Sequence, residues 1–498
     1  MSATLPELHG WDGPWKGLKV LVTGLGVTGF SAADTLAELG AEVVVVDGVE
    51  TEKKRMDAAT LQIVGVADIR FGKEHTENLP EGLDLIVTSP GWRPDSPLIS
   101  AATAAGIPVW SDIQLARRLG PRPGARSPEW LVLTGTNGKT TTVTLLEQML
   151  IAAGRRAVAC GNIGMPILDA IRDPEGFDAL AVELSSFQLH YTEPLQPLAA
   201  AVLNLAEDHV DWHGSQEEYA AAKAKIYEGT RIACVYNVED PTTEKMVAEA
   251  DVTEGCRAIG FTTGVPDVSM LGVVDTEEGD ALLIDRAYLD NRRNQALELA
   301  ARSDFGPLAP AHLVANALAA AALARAAEVP PEAVKQAVVD YQAAEHRIQP
   351  VAKADDVLWI NDTKATNPHA AAASLAAFTD VVWIAGGLPK GVDYTDLVQQ
   401  AGHRLRHVIL IGTDSFQLRS SLERHAPQVP ITEVSTGDDG QRAMREAVAA
   451  AEDVAQPGQT VLLAPAAASM DQFASYQERG EAFIEAVAEL MQRKGFTT

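Results

Sequence analysis

The stretch Trp130 to Thr142, WLVLTGTNGKTTT, runs an apolar strand into a glycine turn, a lysine and a row of hydroxyls. Backbone N–H groups from Gly135 through Thr136 and Asn137 to Gly138 would wrap a triphosphate. Lys139 would reach its β and γ oxygens, and Thr140 or Thr141 would offer a hydroxyl to magnesium. The strict phosphate-loop pattern has a glycine five positions before Gly138, where this chain has Leu133. A second glycine turn, VLVTGLGVTG, sets Gly24, Gly26 and Gly29 in G-x-G-x-x-G spacing between a strand and a helix, with Asp47 ending the next strand. Such a turn brings backbone and a helix N-terminus against a diphosphate, and Asp47 could accept from a ribose hydroxyl. NAD or a similar dinucleotide, another nucleotide diphosphate and a purely structural tight turn all fit this loop.

Other groups could complete an ATP site. ALAVELSSFQL ends a strand in Glu183, where a carboxylate at the sheet's C-terminal edge would hold magnesium. His209 lies among acids in LNLAEDHVDWHGS, and taken alone such a histidine is more often a loop or capping residue than a ligand. Lys223, in EEYAAAKAKIY, reads by itself as a solvated helical lysine. WINDTKATNP puts Asp362 and Lys364 just after a strand, and GGLPKGVDY repeats that placement with Lys390. Cations at sheet edges suit an anionic substrate.

The elements that must position these groups follow a βαβ rhythm from about residue 18 onward, with short β-branched runs alternating with Ala/Leu-rich helical stretches. Strands are expected near Lys19–Thr23, Val43–Asp47 and Leu85–Ser89, then near Trp130–Thr134, Ala179–Glu183 and Ala200–Leu205. A last set is expected near Val357–Ile360, Val381–Ala385, His407–Ile411 and Val461–Ala464, and a helix over Ala311–Ala327. GPRPGARSP, at Gly120 to Pro128, reads as a linker, and a second boundary falls near Tyr341 to Pro350. This gives an α/β protein of three domains: residues 1–120, 121–345 and 346–498. The arginine-rich excursion Arg286 to Arg302 reads as a solvated helix or loop.

Composition narrows the function classes. In 498 residues, 40 Lys and Arg face 68 Asp and Glu, for a net charge of −28. That charge disfavours non-specific nucleic-acid binding, which needs cations against phosphates. No apolar run approaches the ~20 residues of a membrane span, and no basic signal segment opens the chain. Cys160, Cys234 and Cys256 are too scattered for a disulfide framework or zinc site, so a reduced cytoplasm is expected.

Together GTNGKTT, GNIG at Gly161 to Gly164, ELSSFQL, EDHVDWHG, YAAAKAKIY, AEHRI, NDTKATN and PAAASMDQF resemble the Mur ligase family of peptidoglycan synthesis, in order and spacing over essentially the whole chain. NDTKATN, GGLPKG and ELSSFQL are closest to the branch that adds D-glutamate to UDP-N-acetylmuramoyl-L-alanine. The resemblance implies a Rossmann-like N-terminal domain for the UDP-sugar, a central P-loop ATPase-type domain, and a Rossmann-like C-terminal domain for the amino acid. It turns the first glycine loop from NAD to UDP.

By position, the resemblance assigns Thr28, Asp47, Ser89 and Gly91 to uridine diphosphate, and Asn162 and Ser185 to the muramoyl part. It assigns the run Thr136 to Thr142, with Asn316, Arg347 and Asp362, to ATP. Thr140, Glu183 and His209 would surround two magnesium ions, with Lys223 matching a lysine that the family carbamylates. Lys364, Thr366, Lys390, Ser469 and Phe473 would form the D-glutamate pocket. Catalysis would rest on Lys139, His209, Lys223 and Arg347, through an acyl phosphate, in a protein expected to be a monomer. A sibling ligase for another amino acid, a nicotinamide-dependent dehydrogenase and a non-enzymatic P-loop switch are the competing readings.

Overall fold

The computed structural model describes residues 8–277, 279–306, 309–342, 345–389 and 391–495. The chain divides into two compact units, one of Met1–Ala309 with Leu313–Tyr341 and the other of Pro310–His312 with Gln342–Thr498.

The first unit holds two sheets. The smaller comprises β1 (Lys19–Thr23), β2 (Glu42–Asp47), β3 (Asp68–Phe71), β4 (Leu85–Thr88) and β5 (Val109–Ser111), all parallel in the order β3-β2-β1-β4-β5. Runs such as VVVVD are buried on both faces, as a parallel sheet covered by helices requires. The order reverses between β1 and β4, so the Gly24 turn and the Ser89 turn leave neighbouring strand ends, where α/β sheets bind ligands.

The larger sheet comprises β6 (Glu129–Thr134), β7 (Ala157–Gly161), β8 (Ala179–Glu183), β9 (Ala199–Val202), β10 (Ala233–Asn237), β11 (Arg257–Phe261), β12 (Met270–Asp275), β13 (Ala281–Asp285) and β14 (Leu297–Ala301). Its order is β14-β13-β12-β11-β10-β9-β6-β8-β7. β6 lies between β8 and β9, so the phosphate loop emerges with Glu183 beside it. β12 to β14 form an antiparallel edge. Part of the Arg286 to Arg302 excursion, expected as helix or loop, is therefore strand β14: Leu283↔Ala300 and Asp285↔Leu297 pair across the ladder. The alanine-rich helix Ala311–Ala326 is almost wholly buried, because its small side chains allow close packing.

One hydrophobic cluster runs from Val20 and Val45 in the first sheet to Val132, Val182 and Val202 in the second. Polar contacts join the same two layers: Ser31 Oγ donates to Asp169 Oδ1 at 2.6 Å, and Gln188 Nε2 to Asp112 Oδ1 at 3.1 Å. Asp112 is fully buried, and desolvation lifts its carboxyl from 3.8 to about 6 against the hydrogen bonds that favour the anion. A rise of that size corresponds to about 3 kcal/mol. An acid raised on folding stabilises fully below its unfolded value, and that contribution is lost as pH climbs through about 6. Asp112→Asn should therefore raise the melting temperature by a few degrees at pH 8, with the gain vanishing by pH 4. Melts across that range check it, and a variant less stable at pH 8 would refute the account.

The second unit holds β15 (Gln349–Ala354), β16 (Val357–Asn361), β17 (Val381–Gly386), β18 (Leu405–Ile411), β19 (Ile431–Glu433) and β20 (Thr460–Leu463), ordered β15-β16-β20-β17-β18-β19. Only β15 is antiparallel. The last strand inserts between β16 and β17, so the loops after β16, β17 and β20 meet at one sheet edge.

Candidate functional site

The phosphate loop is built by its own glycines and by two partners from distant sequence. Gly138 sits at φ +83° and caps the helix Lys139–Ala152. A side chain there would be strained and would strike the Asn316 carboxamide. That contact places Asn316 against the loop, at a position assigned to ATP. Asn204 brackets the turn, its Oδ1 accepting from Asn137 N at 2.9 Å and its Nδ2 donating to Asn137 O at 3.1 Å. Thr136 Oγ1 lies 3.0 Å from Tyr219 OH. Thr140 is half-buried in the first turn, whereas Thr141 and Thr142 are buried, and the Thr142 hydroxyl donates to Gly138 O at 3.0 Å.

Two lysine amines converge on one carbonyl. Lys139 Nζ donates to Gly135 O at 2.8 Å and to Thr136 O at 2.9 Å. Lys223 Nζ donates to the same Gly135 O at 2.9 Å and to Thr134 Oγ1 at 3.1 Å. The helix Gln216–Ala224, capped by Ser215, delivers Lys223 across the Tyr219 ring, 4.8 Å from its centroid. Lys223 is 2% exposed. Burial first, then the Lys139 charge, drive its amine well below the ordinary lysine value, against the pull of Asp208 and Glu183. The solvated-lysine reading of the sequence fails because Lys223 lies on the buried face of its helix.

Glu183 ends β8 opposite Leu133 of β6 and Gly161 of β7. Its Oε1 accepts from Asn162 Nδ2 at 3.1 Å. Its Oε2 is buried with no hydrogen-bonding partner among the described residues. A buried carboxylate oxygen left open in this way suits a cation. His209, in the left-handed region at φ +53°, sits edge-on to Phe187 and 3.6 Å from Asp208. Among the described residues no group of three or more His, Cys, Asp or Glu is arranged to hold a metal ion. Magnesium needs no such cage, since one or two carboxylates, a hydroxyl, waters and phosphate oxygens suffice. The Thr140 hydroxyl and the Glu183 carboxylate fit that pattern, whereas the His209 imidazole offers nitrogen rather than oxygen.

A cavity of about 230 Å³ is lined by Gly91, Thr136, Lys139, Asn162, Ser185, His209 and Lys223, among others, while Thr140 and Glu183 are not part of its lining. Gly91 lies just beyond β4 of the smaller sheet, and Trp212 Nε1 fastens it by donating to Gly91 O at 3.2 Å. Ser185 caps the helix Ser186–His190, its Oγ accepting from Gln188 N. A larger cavity of about 770 Å³ borders Ala221 and Ala224 of the Lys223 helix but contains none of the expected site residues.

The first glycine loop holds a surprise at Asp47. Its Oδ2 accepts from Leu25 N at 2.7 Å, and its Oδ1 accepts from Val49 N at 2.9 Å and Lys54 Nζ at 2.7 Å. Desolvation would raise this carboxyl, but the Lys54 and backbone hydrogen bonds outweigh it and hold it low. Asp47 thus braces the loop. Ser89 Oγ donates to Gly24 O at 3.3 Å, and Thr28 is half-buried in the first turn of the helix Val27–Glu38.

In the second unit, Asp362 is buried, and Ser374 Oγ donates to its Oδ2. Desolvation raises its carboxyl, with Ser374, Arg347 and Lys364 opposing the shift. Arg347 Nε is buried without a hydrogen-bond partner among the described residues. Lys364 Nζ lies 5.2 Å from the centroid of Tyr476, which the sequence reading did not single out. Phe473 has its side chain buried in the core of this unit, against Gly440. Ser469 is buried and Thr366 half-buried; Lys390 lies outside the described residues.

Residues 18–111 match the N-terminal domain of MurD-like Mur ligases, residues 133–324 the Mur ligase middle domain, and residues 346–467 the Mur ligase glutamate ligase domain. A protein of Streptomyces avermitilis named UDP-N-acetylmuramoylalanine--D-glutamate ligase is 53% identical over 473 residues, covering 95% of this chain and 98% of that one. Its namesake in Leifsonia xyli subsp. xyli is 50% identical, covering 98% of this chain and 95% of that one. The crystal structure of UDP-N-acetylmuramate-alanine ligase MurC from Thermotoga maritima has the same fold at 19% identity, with a TM-score of 0.53 over 95% of this chain and 100% of that one. With three domain matches in the expected order, and relatives at half identity along their whole length, the chain belongs to the Mur ligase family.

Proposed function

We propose that the chain joins D-glutamate to the alanyl carboxylate of UDP-N-acetylmuramoyl-L-alanine, converting ATP to ADP and phosphate, in the cytoplasmic stage of peptidoglycan synthesis. Full-length identity to ligases of that name supports the amino acid and the sugar. The observation that carries the chemistry is the pair of lysine amines on Gly135 O beside the open oxygen of Glu183. No helix among the described residues is long and apolar enough to cross a membrane.

The alanyl carboxylate attacks the γ-phosphorus of ATP, giving an acyl phosphate and ADP. The glutamate amine then attacks the acyl carbon, and the tetrahedral adduct expels phosphate as the nitrogen loses its proton. Lys139 moves from the loop carbonyls to the phosphoryl oxygens and neutralises charge there, where most of the stabilisation in phosphoryl transfer arises. Magnesium, when bound, supplies further charge neutralisation, with Thr140, Glu183 and His209 as its protein donors.

Lys223 is poised for carbamylation. Only a neutral amine adds carbon dioxide, and burial beside Lys139 favours the neutral form. Amine and carbon dioxide give an N-carboxylate and one proton. The product replaces two amines facing one carbonyl by an ammonium beside an anion, and adds hard oxygen donors for the metal. Thr28, Ser89, Gly91, Asn162 and Ser185 are the proposed UDP-sugar contacts. Asn316, Arg347 and Asp362 are proposed for the nucleotide, and Lys364, Thr366, Lys390 and Ser469 for glutamate.

Phosphate release from ATP and magnesium with UDP-muramoyl-alanine tests the reading, with D-glutamate, L-glutamate, diaminopimelate or no amino acid. Release is expected only with D-glutamate, alongside a product heavier by one glutamyl residue. Use of another amino acid would move the chain to a sibling activity, and release independent of amino acid would overturn the ligase reading.

A further inference from the structure

Arg479 lies in the first turns of the helix Tyr476–Arg493 and is 1% exposed. Its guanidinium has five N–H donors, and they meet five acceptors. Nε donates to Thr363 Oγ1 at 2.9 Å. Nη2 donates to Thr363 O and to Ala467 O, each at 3.1 Å. Nη1 donates to Ala468 O at 3.3 Å and, more weakly, to Gly386 O at 3.5 Å.

Every acceptor is a neutral oxygen, and each belongs to one of the three loops that leave the sheet edge. Thr363 follows β16 and precedes Lys364 and Thr366. Gly386 ends β17 and opens the GGLPKG turn. Ala467 and Ala468 follow β20 and precede Ser469. The loops also touch one another: Ala466 N donates to Ala365 O at 2.9 Å, and Leu388 N to Ala468 O at 2.9 Å. Thr363 Oγ1 passes the connection on by donating to Tyr476 O at 3.2 Å, beneath the ring that faces Lys364. The helix reaches the loops because residue 480 is glycine; a side chain there would strike His346 and Thr363.

A buried guanidinium is a costly way to fill space, and apolar residues of similar volume commonly stabilise as well or better. What an apolar residue cannot do is fix carbonyls from separate loops at set angles to one planar group. Burial draws Arg479 down only to about 9, so it stays protonated near pH 7 with all five donors in use.

We propose that Arg479 is a positioning residue for the amino-acid pocket, a planar clamp that sets the three loops so that the groups at Lys364, Thr366 and Ser469 present one surface to the incoming amino acid. The proposal rests on reading this domain as the amino-acid-binding one. Arg479 touches no substrate and acts through the loops.

Arg479→Lys and Arg479→Gln in the full chain test it, since one ammonium cannot span five acceptors and a carboxamide offers two donors. For whichever variants fold, the KM for D-glutamate should rise about 10- to 100-fold, the range expected when a hydrogen bond to a charged substrate is lost. The KM values for ATP and the UDP-sugar should stay within about twofold. Amide hydrogen exchange should quicken together in peptides covering 362–369, 384–389 and 464–470, and not in the first unit. A KM for glutamate that does not move, three KM values that rise alike, or unfolding of both variants would overturn the proposal and leave Arg479 a packing residue. A wild-type chain indifferent to the amino acid would overturn the reading of the domain itself, and that control is run before any variant.

Discussion

Lys223→Met is expected to lower the rate of D-glutamate-dependent phosphate release about 10²- to 10³-fold, the usual effect of removing one charge-stabilising group from a transition state. Affinity for the UDP-sugar should change by no more than a few fold. The folded protein should be no less stable, because a buried amine with its desolvation penalty is replaced by an apolar chain of similar length. Loss of rate with an unchanged melting temperature therefore separates a chemical role from a packing one. Carbamylation adds a second readout. Enzyme freed of carbon dioxide should lose activity and regain it with bicarbonate, and carbon-13 bicarbonate should give a carbamate resonance that Lys223→Met lacks. Full activity without carbon dioxide would leave Lys223 acting as a plain amine; a variant within about tenfold of the parent rate would remove Lys223 from the mechanism.

Glu183→Gln carries the other large effect, with a different signature. The carboxamide keeps an oxygen for Asn162 Nδ2 and puts a nitrogen where Oε2 now has no partner. The rate should again fall by about two to three orders of magnitude. Here the magnesium concentration for half-maximal activity should rise as well, whereas in Lys223→Met a residual metal site remains through Glu183. The melting temperature should change little, since the carboxamide has the same shape and keeps the Asn162 contact. A magnesium titration of the residual activity decides the matter: an unshifted midpoint would show that Glu183 is no metal ligand.

What could be read in the sequence was what is local. Both glycine loops, the strands that feed them and the placement of Glu183 follow from short patterns in which strand, turn and helix succeed one another. The Lys223 helix is local too, but its burial is not. Nothing in YAAAKAKIY tells which side meets the phosphate loop until the helix packs. Asp47 has the spacing of a ribose ligand, but that spacing gave no sign of the bonds to Leu25, Val49 and Lys54 by which it also braces the loop. The Tyr476 position turns on one capping residue. Ser475 accepts from Glu478 N, which starts the helix at Tyr476. The S-x-x-E pattern was present in SYQE and would have signalled that start. Strands β10 to β14 were missed because their short apolar runs gain meaning only from pairing across the sheet. Arg479 was unreadable for the same reason, since its acceptors stand 11 to 116 residues away in sequence.

The antiparallel edge of the large sheet has a practical side. β14 lies six strands from β6 in the ladder, roughly 25–30 Å across at ordinary strand spacing. The turn that leads into it exposes Asn291, Arg293 and Asn294. A fluorophore, affinity handle or surface tether grafted there would be remote from the phosphate loop, making this turn a natural point for immobilising the enzyme while turnover is recorded.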